Sequence, residues 1–164
     1  MSSLSESLAP AVFWLGYRLF RLNLAKTSRR KHRWLMAWFR FAADNGSVKA
    51  QSVYGHLLHF RGEGEHSRIR GVEYLLRAAD QGDAKSQYQI GRISESGYGT
   101  EYPADQERAV RYFRLAADQQ HYLAIKRLVD AYRAGELNLP CDPEAARQWQ
   151  AMLPRLSKAA ELDC

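Results

Sequence analysis

The sequence predicts an all-α fold, an α-α solenoid of about four degenerate antiparallel helix pairs, on three observations. The triplet Ala-Ala-Asp occurs at Ala42-Ala43-Asp44, Ala78-Ala79-Asp80 and Ala116-Ala117-Asp118, spaced by 36 and then 38 residues. An aromatic stands four residues before each triplet, at Trp38, Tyr74 and Tyr112. Downstream of each triplet a small residue is followed at fixed spacing by an apolar one and then Gly or Val: Ala50, Tyr54 and Gly55; Ser86, Ile90 and Gly91; Ala124, Leu128 and Val129. A period of this length marks stacked supersecondary units, none of which buries its own apolar face alone.

The elements follow in order. Ala11, Leu15 and Gly16 keep the downstream spacing, so the N-terminal segment reads as a worn first repeat. Leu19, Leu58, Ser94 and Tyr132 extend the four columns by three residues, which places each set along one helical stripe. This is the first helix of each pair. The second helix carries Leu35-Trp38-Ala42, Gly71-Tyr74-Ala78, Ala109-Tyr112-Ala116 and Ala146-Trp149-Leu153. The pairs are then residues 8–44, 47–80, 83–118 and 121–154. As domains, 1–44 form a basic, aromatic first pair, 45–154 three repeats, and 155–164 a C-terminal tail.

Punctuation agrees with this register. Ser67, Asp105 and Asp142 each precede a second-helix stripe by four residues, where a side-chain oxygen caps free N–H groups. Pro143 follows at a first helical turn, where its missing donor costs little. Gly46, Gly82 and Gln120 sit just past the triplets, as left-handed residues that end a helix. Gly62, Gly64, Gly97, Gly99 and Gly135 end the first helices.

Composition narrows the function classes. A length of 164 residues with 46% hydrophobic content suits one soluble domain. No run reaches the roughly 20 apolar residues that span a bilayer, and Glu6 in place of basic residues argues against a signal peptide. Cys141 and Cys164 form neither a disulfide framework nor a Cys-x-x-Cys site, which points to a reducing, cytoplasmic setting. The net charge of +6 is local: residues 1–43 hold eight Arg or Lys and one acid, while the remainder holds 16 basic and 17 acidic residues. Such asymmetry signals nucleic-acid or anionic-membrane contact, or else a solvated helix face beside a basic turn.

Ile90-Gly91, Gly97-Tyr98-Gly99, Asp105, Ala109, Tyr112 and Ala116-Ala117 together resemble the Sel-one-like repeat, a relative of the tetratricopeptide repeat. Only Ser94, in place of an aromatic, departs from that pattern here. The second pair resembles it through Tyr54-Gly55 and Gly62-Glu63-Gly64, and the fourth keeps Tyr132 and Gly135 but has Val129 and Leu137 for glycines. The likeness extends over residues 11–153, weakening at both ends. It implies a right-handed helical superhelix acting as a scaffold or adaptor between proteins, with no chemistry and no cofactor of its own.

If the concave face is built as in tetratricopeptide-like proteins, residues beside the first-helix stripe line it: Lys49, Ser52, His56 and His59; Tyr88, Arg92 and Glu95; Lys126, Asp130 and Arg133. This strip suits an acidic or polar peptide held by hydrogen bonds; the other reading is a merely solvated face. His56 and His59, three apart, lack a third ligand at defined spacing, so no metal site is assigned. Cys141 has no His or Asp arrangement around it and reads as a small residue in a packed loop. The Gly-x-Gly segments are repeat turns and argue nothing for nucleotides. The sequence therefore predicts no enzyme.

The N-terminal pair carries more apolar surface than one stripe needs, from Val12 to Leu24. A contact patch is assigned to Phe13, Trp14, Arg18, Arg21, Arg29, Arg30, Lys31 and Arg33. Its uses rank as a protein partner or self-association through residues 8–24, then a membrane surface, then nucleic acid. Helical spacing assigns Trp34, Trp38 and Phe41 to the core. If the register is right, Ala116→Leu costs about 1–3 kcal/mol by overpacking, and its unfolding midpoint falls far below that of Ala104→Leu; equal midpoints count against it.

Overall fold

The computed structural model describes residues 2–21 and 29–153, with side chains placed for 8–18 and 33–153. It is all helix apart from turns and one isolated bridge, and it divides after Asp83 into two compact units. The first holds α1 (Ser2–Arg21), α2 (Arg29–Asp44), α3 (Val48–Arg61) and α4 (Gly64–Asp80). The second holds α5 (Ala84–Ser96), α6 (Gln106–Asp118), α7 (Tyr122–Ala134) and α8 (Pro143–Ala151). These are the four predicted pairs.

In the first unit α3 and α4 approach until backbones touch. A Cβ on Gly71 would lie 2.4 Å from the His59 nitrogen and 2.8 Å from the Gly55 carbonyl oxygen, closer than atoms pack. The apolar core is continued by Phe13 against Phe39, with ring centroids 5.7 Å apart, and by Tyr54 edge-on to Tyr74 at 5.0 Å. Polar clasps accompany the apolar stripe. The Tyr74 hydroxyl donates to the Asp44 carboxylate, so the acid of one triplet receives the aromatic of the next pair. Burial, and then that bond, push the Tyr74 phenol above its ordinary pKa. Gln81 Nε2 donates to Gln51 Oε1 at 2.7 Å, and Gln51 Nε2 donates onward to the Ala43 carbonyl at 3.1 Å.

The second unit repeats the scheme. Gln119 Nε2 donates to Gln87 Oε1 at 2.7 Å, the equivalent of the Gln81–Gln51 clasp. Phe113, Ala116, Ala117, Ile125, Leu128 and Ala131 are completely buried. Asp105 caps α6 through the Arg108 N–H at 2.9 Å, and Asp142 caps α8 through Glu144 and Ala145, with Pro143 in the first turn. Ser94, where the repeat pattern has an aromatic, is buried and accepts a 2.9 Å bond from Arg108 Nε. Leu137, standing where the pattern has glycine, adopts φ 59° and buries its side chain. The left-handed backbone costs about 1–2 kcal/mol for a residue with a Cβ, and burial of the leucyl group offsets it. Gly46, Gly82 and Gln120 are left-handed as expected.

Several expectations need correction. Helix α1 starts at Ser2, six residues before the predicted edge, and among its described side chains Ala9, Phe13 and Gly16 are buried. Ala11 and Leu15 are exposed, so of the first-repeat stripe Gly16 is buried as expected while Ala9 and Phe13 take the places given to Ala11 and Leu15; Leu19 lies outside the described side chains. Ser67 sits inside α4 and caps nothing: α4 begins at Gly64, after Glu63, which makes no side-chain cap bond. Gly64 therefore opens α4 and does not close α3; Gly62 ends α3 in extended conformation. Trp34 (70% exposed) and Phe41 are on the surface, and Trp38 is half-buried. The inner side of α2 is filled instead by Leu35, Phe39, Ala42 and Ala43. Cys141 is exposed, its thiol donating to the Arg133 carbonyl.

The helix contacts predict a contrast. Gly71→Ala forces α3 from α4 and costs about 3 kcal/mol. Gly16→Ala meets only side chains at 3.4–3.6 Å, so gained helix propensity of up to about 1 kcal/mol leaves it neutral or stabilising. Chemical denaturation of both variants reads the difference.

Candidate functional site

The exposed stripes of α5 and α7 are held side by side by an ion pair. Arg127 reaches from α7 and donates to Glu95 Oε1 through Nε at 3.0 Å and Nη2 at 2.7 Å. Its Nη1 meets Glu136 at 2.8 Å. Burial disfavours the guanidinium charge, but the bonds to Glu95 and then Glu136 outweigh it and raise its pKa. Arg92 Nε lies 3.5 Å from the other Glu95 oxygen, and Arg92 Nη1 is 3.5 Å from the Tyr88 hydroxyl. Tyr88 stacks on His121 with centroids 4.8 Å apart and tilts against Phe113 at 6.0 Å.

This geometry sorts the predicted strip. Glu95 is engaged within the protein and holds two helices together. Arg92, Lys126 and Asp130 are exposed on α5 and α7, with the half-buried Tyr88 ring between helices as a fixed platform. Arg133 is exposed but donates to Gln150 on α8 at 2.6 Å. Arg127 escaped the sequence reading because nothing in the repeat marks it; only its distant partner Glu95 reveals it.

The first unit carries its own predicted residues on α3. Lys49 and His56 are exposed, while the Ser52 hydroxyl donates to the Asp83 carboxylate at 2.8 Å. His59 is half-buried, and its pKa is lowered mainly by that burial, against a backbone hydrogen bond with Arg68 that raises it. The His56 and His59 rings flank Phe60, at 4.4 and 4.8 Å, and Phe60 itself is exposed. An aromatic four residues after His56 was the available signal for this cluster. Among the described residues no group of three metal-ligating side chains forms.

The N-terminal patch is divided. Phe13 belongs to the core and is withdrawn from the predicted surface. Trp14 is 60% exposed with the Arg18 guanidinium 5.3 Å above its ring, and Arg33 is exposed. The side chains of Arg21, Arg29, Arg30 and Lys31 lie outside the described residues. No helix among those described is long and apolar enough to cross a membrane.

Paired helices joined through small-residue columns, with charged first-helix stripes beside them, define a protein of the α-α repeat class. Residues 36–47, 48–83 and 84–121 match the Sel1 repeat, just over half of the chain, and the chain belongs to that family. The matched segments break where α3 and α5 begin, so each full repeat is one first helix followed by one second helix. A crystal structure of a Sel1 repeat protein from Oxalobacter formigenes is similar at TM-score 0.74 and 24% identity, over 91% of this chain and 59% of that one. A protective antigen of uropathogenic Escherichia coli strains displaying an SLR fold is similar at TM-score 0.74 and 30% identity, over 95% of this chain and 31% of that one. This chain thus spans less than two thirds of either solved protein. No curated protein matches it in sequence.

The bridge yields a stability test. Glu95→Gln removes a charged acceptor beside the partly buried Arg127 and costs about 1–3 kcal/mol in urea unfolding. Glu136→Gln, at the exposed end of the network, costs under about 1 kcal/mol.

Proposed function

We propose that this chain is a non-catalytic interaction module that holds a peptide or protein segment along the exposed stripes of its first helices. Membership of the Sel1 repeat family supports the general role, since such repeats serve as protein–protein scaffolds. The observation that carries the reading is the Glu95–Arg127 bridge. It fixes α5 beside α7, so Tyr88, Arg92, Lys126 and Asp130 are presented from two braced helices with their spacing set before a partner arrives. Preorganised side chains lose less entropy on binding.

Two cations and one anion on this surface favour an extended segment carrying acidic side chains, with the Tyr88 ring offering an apolar face. Lys49, His56 and the His-flanked Phe60 give α3 a comparable surface in the first unit, basic and aromatic in character. A cytoplasmic setting belongs to the same proposal and rests on cysteine usage.

Selection of displayed peptides on the immobilised chain tests this. Enriched sequences carry acidic residues, and Arg92→Glu with Lys126→Glu weakens their binding about tenfold or more by turning attraction into repulsion. Both positions are exposed; reversing Arg92 also removes its 3.5 Å pair with Glu95, a surface contact worth under about 1 kcal/mol, so the variant stays folded. Peptides that bind the reversed variant equally well rule out this strip.

A further inference from the structure

Between Leu8 and Tyr17, helix α1 is apolar on the side it turns to solvent. At about 100° per residue, Ala9, Phe13 and Gly16 share one face, which packs on Leu35 and Phe39. Leu8, Ala11, Trp14 and Leu15 fall on the opposite face, and all four are exposed. Arg18 completes that face one turn further on. No charged residue lies between Leu8 and Tyr17. Single exposed apolar residues are ordinary, but a contiguous helical face of them marks a contact surface.

Charge decides what covers it. A symmetric contact between two copies sets the same surface against itself. Here that brings together two segments of residues 1–43, each with eight basic residues and one acid. An anionic occupant turns the same charges to advantage. Nucleic acid offers phosphates and base faces but no hydrocarbon for Leu8 and Leu15. A phospholipid surface offers both in one layer: phosphates for Arg18, and an acyl boundary for Leu8, Trp14 and Leu15. Tryptophan favours that depth, and the guanidinium stacked at 5.3 Å keeps a cation beside the indole while reaching outward.

We propose that α1 lies in the plane of anionic phospholipid surfaces, with its Leu8–Trp14–Leu15 face in the headgroup–acyl boundary. The contact uses the first unit alone and stands whether or not the α5–α7 strip binds peptide.

The whole chain is mixed with phosphatidylcholine vesicles prepared with and without phosphatidylglycerol and followed by flotation. Binding is expected on the anionic vesicles, at least about tenfold above the neutral ones, and falling as salt rises. Trp14→Ser with Leu15→Ser, and separately Arg18→Glu, each lower it about tenfold or more. Brominated acyl chains quench tryptophan emission in the parent and quench it less in Trp14→Phe. The substituted side chains are exposed, so unchanged unfolding midpoints show that the variants fold; if one variant shifts its midpoint, the other carries the test. Equal binding to neutral vesicles, or none to either, overturns the proposal. So does a dimer in sedimentation that Trp14→Ser with Leu15→Ser dissolves, or duplex DNA binding that the same pair leaves intact without lipid binding.

Discussion

How closely two helices can approach is the constraint on which the structure depends. Neither helix of a pair hides its apolar stripe alone, so each leans on its neighbour, and the approach distance is set by the smallest residue at the crossing. Gly55 and Gly71 let α3 and α4 meet backbone to backbone, and Gly91 admits the Phe113 ring directly over α5. Larger residues then fill what the small ones leave: Tyr54 and Tyr74 in one unit, Phe113 and Leu128 in the other. The repeat period follows from this need, because within each unit successive pairs meet the same demand for small residues at the crossings and large ones beside them.

Close packing of helices leaves little room for polar atoms, and the chain meets that demand in a regular way. The Ala-Ala-Asp triplet is followed by glutamine at Gln81 and Gln119, and each reaches a glutamine on the preceding first helix, Gln51 or Gln87. Gln51 passes the bond to the Ala43 carbonyl near the end of α2. In the fourth pair the corresponding position is the completely buried Ile125. A polar clasp is there exchanged for hydrocarbon, which is neutral or favourable when both partners leave together.

The same economy shapes the outward surfaces. Glu95 and Arg127 spend their charges on each other, and Arg92 and Lys126 are left projecting beside them. On the proposed reading these charges would add specificity to a modest contact area through complementarity. Helix α1 follows another logic. Among its described side chains the outer side is hydrocarbon, with Arg18 beside Trp14 at its C-terminal end.

The helical class, the four pairs, most helix ends and the packing stripes of α3 to α7 were legible in the sequence by themselves, while in α2 the stripe took Phe39 in place of Trp38. Those features are local: Asp105 and Asp142 cap within three residues, Gly46 and Gly82 turn on their own φ angles, and stripe spacing is helix geometry. Only tertiary structure decided the rest, because it depends on which side chain arrives from elsewhere. Phe13 went to the core since Phe39 met it, Leu15 was left outside because the register of α1 slid, and Ser67 fell within a helix that Gly64 could open early. Glu95 looked like a ligand contact until Arg127, 32 residues on, claimed it. Short-range rules see the repeat; long-range partners choose which of its charges remain available.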